Sequence, residues 1–147
     1  MKRIMTLNRC QINIAVYTSR LESCKSAAVR AKLKKRLIVY NQLLKRIKKR
    51  NSTIQAAVLL FEEYYQCDMK AVMSSTSRKT SMIRYLFNYK MSKDCITPIF
   101  VKMFFKLRIS DLNARNSKKY AISVVKKLYM SEWNRLRSYI KLTNTIN

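Results

Sequence analysis

The chain has 147 residues, enough for one domain with a modest core. Its 32 lysines and arginines against 7 aspartates and glutamates give a formal charge of +25, while glycine and histidine are absent and proline occurs once. Without glycine there is no Walker loop, dinucleotide fingerprint or nucleophile elbow, because each needs a backbone position that a Cβ would block; without histidine the commonest general base and metal ligand is missing.

The same zeros predict an all-α fold, since strands joined by tight turns need glycines and helices need few. Residues 1–18 carry the one strand-like alternation, Ile12, Ile14 and Val16 between polar neighbours, and read as an N-terminal arm or short extended segment. Residues 19–147 read as a single basic helical domain, a small bundle of about five helices led by a long basic helical hairpin. Its first helix is expected from Ser19, where Ser-x-x-Glu22 spells a capping box, to near Arg50. Along it Leu33, Leu37, Tyr40, Leu44 and Ile47 recur at spacings of four and three, the pattern of a narrow packing seam. Asn51, Ser52 and a second capping box, Ser52-x-x-Gln55, predict a turn that reverses the chain into a helix from Thr53 to near Met73. That stretch is nearly neutral and holds Ala56 to Phe61, so it is the expected central core helix.

Ser74 to Ser77 form a polar joint before a helix over 78–91 with Ile83, Leu86 and Phe87 on one face. Thr97-Pro98 reads as an N-cap with proline at the first helical position, opening a helix to near Arg108 that buries Phe100, Met103, Phe104 and Leu107. Ser117 is expected to cap the last helix, on which Ile122, Val125, Tyr129, Trp133, Leu136 and Ile140 fall at helical spacing.

Charge is segregated. Residues 1–50 hold fifteen bases and only Glu22; residues 51–77 hold Lys70 against Glu62, Glu63 and Asp68; residues 78–147 hold sixteen bases and three acids. The densest set is Lys32, Lys34, Lys35 and Arg36 followed by Lys45, Arg46, Lys48, Lys49 and Arg50, which on a helix covers nearly all the surface outside the seam. Solvated helix faces normally mix both signs, and here no acid occurs between Glu22 and Glu62, so the pattern points to contact with phosphates of DNA or RNA. Lys118, Lys119, Lys126 and Lys127, with Arg135, Arg137 and Lys141, form a second basic set interleaved with Tyr120, Tyr129, Trp133 and Tyr139. Tyr129 and Trp133 share the apolar stripe, which leaves Tyr120 and Tyr139 as the candidates for stacking on unpaired bases. Asp68 to Tyr89 has the order of a helix-turn-helix, which would put Arg78, Lys79, Thr80 and Arg84 at the start of a recognition helix.

Val125-Lys126-Lys127-Leu128 followed by Trp133-Asn134-Arg135-Leu136 resembles the closing helix of the helical domain at the N-terminus of transcription elongation factor S-II and elongin A. The Ile-Gly and Leu-Arg-Lys-His elements of that domain do not occur in order. The resemblance implies a protein-interaction module of the transcription machinery.

Cys10, Cys24, Cys67 and Cys95 form no C-x-x-C pair, and with ample apolar content they read as free thiols in a reducing compartment rather than as a zinc or disulfide framework. The longest apolar run, Ile96 to Phe105, is interrupted by Pro98 and Lys102 and is too short to span a membrane. The acid-free first 21 residues carry Lys2, Arg3, Arg9 and Arg20 but lack the serine enrichment and amphipathic repeat of a mitochondrial transit peptide. Glu62, Glu63 and Asp68 are the only close carboxylates, and adjacent glutamates on a helix diverge, so charge balancing is expected of them rather than metal binding or catalysis. The expectation is a non-enzymatic binder of DNA or RNA, without cofactor or metal and of low sequence specificity. Its expected place is the nucleus or another nucleic-acid compartment, in a chromatin or transcription setting. The alternative is a helical module docking an acidic protein or a membrane surface; a homodimer is left open.

Overall fold

The computed structural model describes residues 4–107 and 111–146, with side chains in the second stretch from 118 to 145. The fold is all-α. Among the described residues there are seven helices, more than the five or so expected from the sequence, together with one 3-10 turn and no strand. By packing the chain divides into two compact units, Met1–Ser52 and Thr53–Asn147.

The first unit is a helical hairpin of α1 (Leu7–Ser23) and the first part of α2 (Ala27–Tyr65). Residues 7–18 are therefore helical rather than part of an extended arm. Cys10 is buried and Ile14, Tyr17 and Leu21 are half-buried, at spacings of four, three and four, so a helical period underlies the alternation; Ile12 and Val16 are exposed. Thr6 caps α1 by accepting from the Arg9 amide at 3.2 Å, and Ser19, expected as a cap, lies inside the helix. The chain turns instead at 24–26. There the Arg30 guanidinium donates to the carbonyls of Leu21 at 3.0 Å and Cys24 at 3.1 Å, satisfying the orphan acceptors at the end of α1. The predicted seam on α2 is the buried edge: Leu33 and Ile47 are buried and Leu37, Tyr40 and Leu44 half-buried. Tyr17 stacks on Tyr40 with centroids 5.5 Å apart, and the Cys10 thiol donates to the Tyr40 carbonyl at 3.4 Å.

No turn forms at 51–53. The helix runs on through Asn51 and Ser52, because Ile47, Ile54, Ala57, Val58 and Phe61 continue the apolar period and neither glycine nor proline interrupts it. Two weak helix formers cost only about 0.5 kcal/mol each, less than the burial of one large side chain contributes. The second unit then follows α2 with α3 (Met69–Ser74), the 3-10 turn (Arg78–Thr80), α4 (Ser81–Lys93), α5 (Pro98–Phe104), α6 (Asp111–Leu128) and α7 (Met130–Ile146).

Its core is shared between the 53–73 stretch, where Ile54, Ala57, Val58, Phe61, Met69 and Val72 are buried as expected, and α4. Leu86, Phe87, Tyr89 and Met91 are buried, nothing from Ser81 to Ser92 is exposed, and α4 packs against α3, α5 and α6. Phe87 meets Phe61 edge-on at 5.1 Å and Phe105 at 5.9 Å, and Tyr89 meets Trp133 at 4.8 Å. Truncating Phe87 would cost about 3–5 kcal/mol. On α5 the buried face is Pro98 and Val101, with Phe105 just beyond; Phe100, Met103, Phe104 and Leu107 are only half-buried, one register away from expectation. α6 begins at Asp111, so Ser117 is no cap, and the expected last helix is divided at Tyr129. The hydrogen bonds Tyr129 N to Val125 O at 3.0 Å and Trp133 N to Tyr129 O at 2.8 Å bridge the division. The stripe survives it, with Val125, Trp133 and Leu136 buried and Ile122, Tyr129 and Ile140 half-buried.

Three helices of this unit end in a left-handed residue that is not glycine: Gln66 (φ 50°), Cys95 (φ 60°) and Lys106 (φ 55°). Each is followed by the long return bond of a Schellman turn: Cys67 N to Glu62 O at 3.4 Å, Ile96 N to Met91 O at 2.9 Å and Leu107 N to Lys102 O at 2.8 Å.

Candidate nucleic-acid interface

Of the sixteen basic residues singled out in the sequence, all are exposed except Arg50, Arg84 and Lys118, which are half-buried. Lys32, Lys34, Lys35, Arg36, Lys45, Arg46, Lys48 and Lys49 ring α2 outside its seam, because the seam takes every third or fourth position and the bases take those between. Arg36 is partly engaged within the unit. It donates to the Tyr17 hydroxyl at 3.2 Å and lies 5.6 Å from that ring, with Arg20 at 5.7 Å. Partial burial lowers the pKa of Arg50. The apolar residues Ile38 and Val39 lie among these bases, 58% and 60% exposed.

Arg78 and Lys79 are exposed on the 3-10 turn, where Ser77 accepts from the Lys79 amide at 3.2 Å. Arg84 is occupied. Its guanidinium donates to the carbonyls of Ser77 at 3.0 Å and Val72 at 3.4 Å and to the Thr80 hydroxyl, tying down the corner between α3 and α4. The order helix, turn, helix predicted for 68–89 is present, but α4 has no exposed face over 81–92, and a recognition helix needs one to enter a groove.

In the C-terminal set Lys119, Lys126 and Lys127 on α6 and Arg135, Arg137 and Lys141 on α7 are exposed. Of the two candidate rings only Tyr120 is open, at 58%, and it meets Tyr85 edge to face with ring centroids 5.6 Å apart. Partial burial and the hydrogen bond with Tyr120 raise the Tyr85 phenol. Tyr139 is half-buried and tilts against Tyr64 at 5.0 Å; desolvation and a hydrogen bond to Glu63 raise its pKa.

The acids serve the fold more than they neutralise bases. Asp68 caps α3 through the Lys70 amide at 3.1 Å, and Glu62 accepts the neighbouring Met69 amide at 3.1 Å, so these carboxylates hold a helix end. Glu132 accepts from the Tyr65 hydroxyl at 2.9 Å and lies 3.9 Å from Arg135; Asp94 pairs with Lys90 at 2.6 Å. Among the described residues no three cysteine or acidic side chains gather as a metal ion requires, and no helix is long and apolar enough to cross a membrane. Cys10, Cys24, Cys67 and Cys95 are free thiols, and burial pushes Cys10 and Cys67 up.

No motif marks the cleft in the second unit, about 240 Å³ in volume, whose walls come from α3, α4, α5 and α6. It brings Arg84 and Lys102 together with Tyr85, Asn88 and Tyr120, residues scattered over 37 positions that share no motif. No known protein family, curated protein or solved structure matches the chain.

Proposed function

We propose that this protein binds DNA or RNA through phosphate contacts made by the basic face of α2, with low sequence specificity and without catalysis. The observation that carries this reading is the ring of exposed bases at 32–49, in a unit of fifteen lysines and arginines whose sole acid is Glu22. A one-signed surface of this density repels itself in water and is relieved by a polyanion, whose condensed counterions are released on contact. The bases of α6 and α7 extend the cationic surface of the second unit, which we read as a small helical bundle serving as scaffold. A nucleic-acid compartment such as the nucleus suits this chemistry.

The test is a binding titration with random duplex DNA, single-stranded DNA and structured RNA at three salt concentrations. Submicromolar binding at about 150 mM salt with a log–log slope worth several phosphates is expected. Replacing exposed Lys34, Lys35, Lys45 and Lys48 together with glutamine should flatten the slope by about 3 and weaken all three ligands alike. Unchanged affinity and slope would remove α2 from the interface. A second reading has Ile38 and Val39 on its side: an apolar pair ringed by bases would also suit an acidic protein partner. It predicts binding to nucleic acid only at low salt and equally to all three ligands.

A further inference from the structure

The cleft between α3, α4, α5 and α6 has a chemistry that phosphate contact alone does not explain. Among the described residues its lining holds two cations, Arg84 and Lys102, and no acid. Arg84 brings its charge to the site already fixed, since the carbonyls of Val72 and Ser77 and the Thr80 hydroxyl hold the guanidinium in place. Among the described residues Lys102 pairs with no carboxylate, and the Asn88 carboxamide, on the cleft wall, makes no side-chain hydrogen bond, which leaves its carbonyl and its NH2 available to a ligand. Tyr85 and Tyr120 contribute two rings held edge to face at 5.6 Å, and Tyr120 keeps more than half its surface open. The remaining wall is apolar, from α3 and α5.

We infer that this cleft is a binding site for a single unpaired nucleotide, a nucleoside monophosphate unit. The fit is one of parts. A flat ring stacks on tyrosine whatever its identity, a carboxamide pairs with the donor and acceptor on a base edge, and the Lys102 ammonium takes the phosphate in the field of the fixed Arg84 charge. Size agrees: 240 Å³ lies below the roughly 300 Å³ at which pockets begin to enclose drug-sized ligands, so the cleft takes a ring and leaves the rest at its mouth. The inference deepens the proposed function by assigning to the second unit a preference for single strands, and rests on it only for the source of the nucleotide.

The experiment is an amide-resolved NMR titration of the full chain with each ribonucleoside 5′-monophosphate, with the matching nucleosides and with inorganic phosphate. A short single strand and its duplex form separate arms. Tyr120→Ala, Asn88→Ala and Lys102→Gln are followed alongside; Tyr120 and Lys102 are open enough that their replacement leaves the core intact. The monophosphates are expected to shift the amides of residues 85, 88, 102 and 120, with nucleoside or phosphate alone at least about tenfold weaker. Tyr120→Ala should weaken the single strand about tenfold or more and leave the duplex unchanged. Monophosphate binding without strand binding would uphold the site, name free nucleotide as its ligand and count against the proposed function alone. If no lining amide moves at several millimolar of any monophosphate, and the three variants bind the single strand like the parent, the inference is overturned, while the α2 substitutions still decide the proposed function.

Discussion

Replacing Lys106 and Cys95 with glycine should stabilise the second unit, although glycine ordinarily weakens a helical protein. Both residues sit at φ near 60° immediately past a helix, with both bonds of the Schellman turn in place: Lys106 N to Met103 O at 3.1 Å and Cys95 N to Ser92 O at 3.2 Å accompany the longer return bonds. A side chain with a Cβ costs about 1–2 kcal/mol in this region. Glycine removes that cost and adds about 0.4–1 kcal/mol of unfolded-chain entropy, which leaves a net gain of about 0.5–1 kcal/mol at each site. Both side chains are exposed, so no burial is lost. Gln66 differs, because its side chain donates to the Glu63 carbonyl at 2.6 Å, and losing that exposed bond offsets most of the gain. The expected order is therefore Lys106→Gly and Cys95→Gly raising stability, Gln66→Gly near neutral, and Gln55→Gly, on an exposed helix interior, losing about 0.7 kcal/mol. Urea unfolding followed by circular dichroism measures all four, and the Lys106/Cys95 double variant should gain about 1–2 kcal/mol. If Lys106→Gly and Cys95→Gly lose stability as Gln55→Gly does, the helices do not end in left-handed residues and the argument fails.

Tyr65→Phe should destabilise the second unit by about 1–3 kcal/mol near neutral pH, because it deprives the half-buried Glu132 carboxylate of its donor. Burial, then the hydrogen bond and charge of Glu132, raise the Tyr65 pKa, so the protonated phenol is favoured in the folded state and its contribution is fully present below the ordinary tyrosine value. The difference between parent and variant should shrink as pH rises above about 10, and a difference that widens there would refute the assignment. In the first unit Arg30→Met keeps the aliphatic stem and removes both bonds to the end of α1. Amide exchange in the last turn of α1 should accelerate at least about tenfold, with α7 unaffected; equal exchange in parent and variant would show that the guanidinium caps nothing.

The all-α class was legible because it rests on what is missing, and a chain without glycine has few ways to build tight strand turns. The seam from Leu33 to Ile47 was legible for a similar reason: its spacing leaves one edge to bury. The helix ends were not. Ser19 and Ser52 look like caps, yet serine tolerates a helix interior when the apolar period carries on past it, as it does through Ile54 and Phe61. Near-neutrality over 51–77 marked burial correctly at Ile54, Ala57, Val58 and Phe61, but it hid α4, which joins the core despite Arg84 and Lys90 because backbone carbonyls and Asp94 satisfy them. The exposed bases could be read one by one. The cleft could not, since Arg84, Lys102 and Tyr120 meet only through the packing of three helices.

The placing of the carboxylates has a thermodynamic consequence. With Glu62 and Asp68 committed to a helix end and Glu132 to a tyrosine hydroxyl, few negative groups remain to face 32 cations, and the folded chain stands under outward electrostatic tension. Dissolved ions relieve it, so the counterion atmosphere becomes part of the folding free energy. Stability should climb with ionic strength over the same range in which phosphate binding weakens, and a polyanion that settles on the surface becomes a folding partner as well as a ligand.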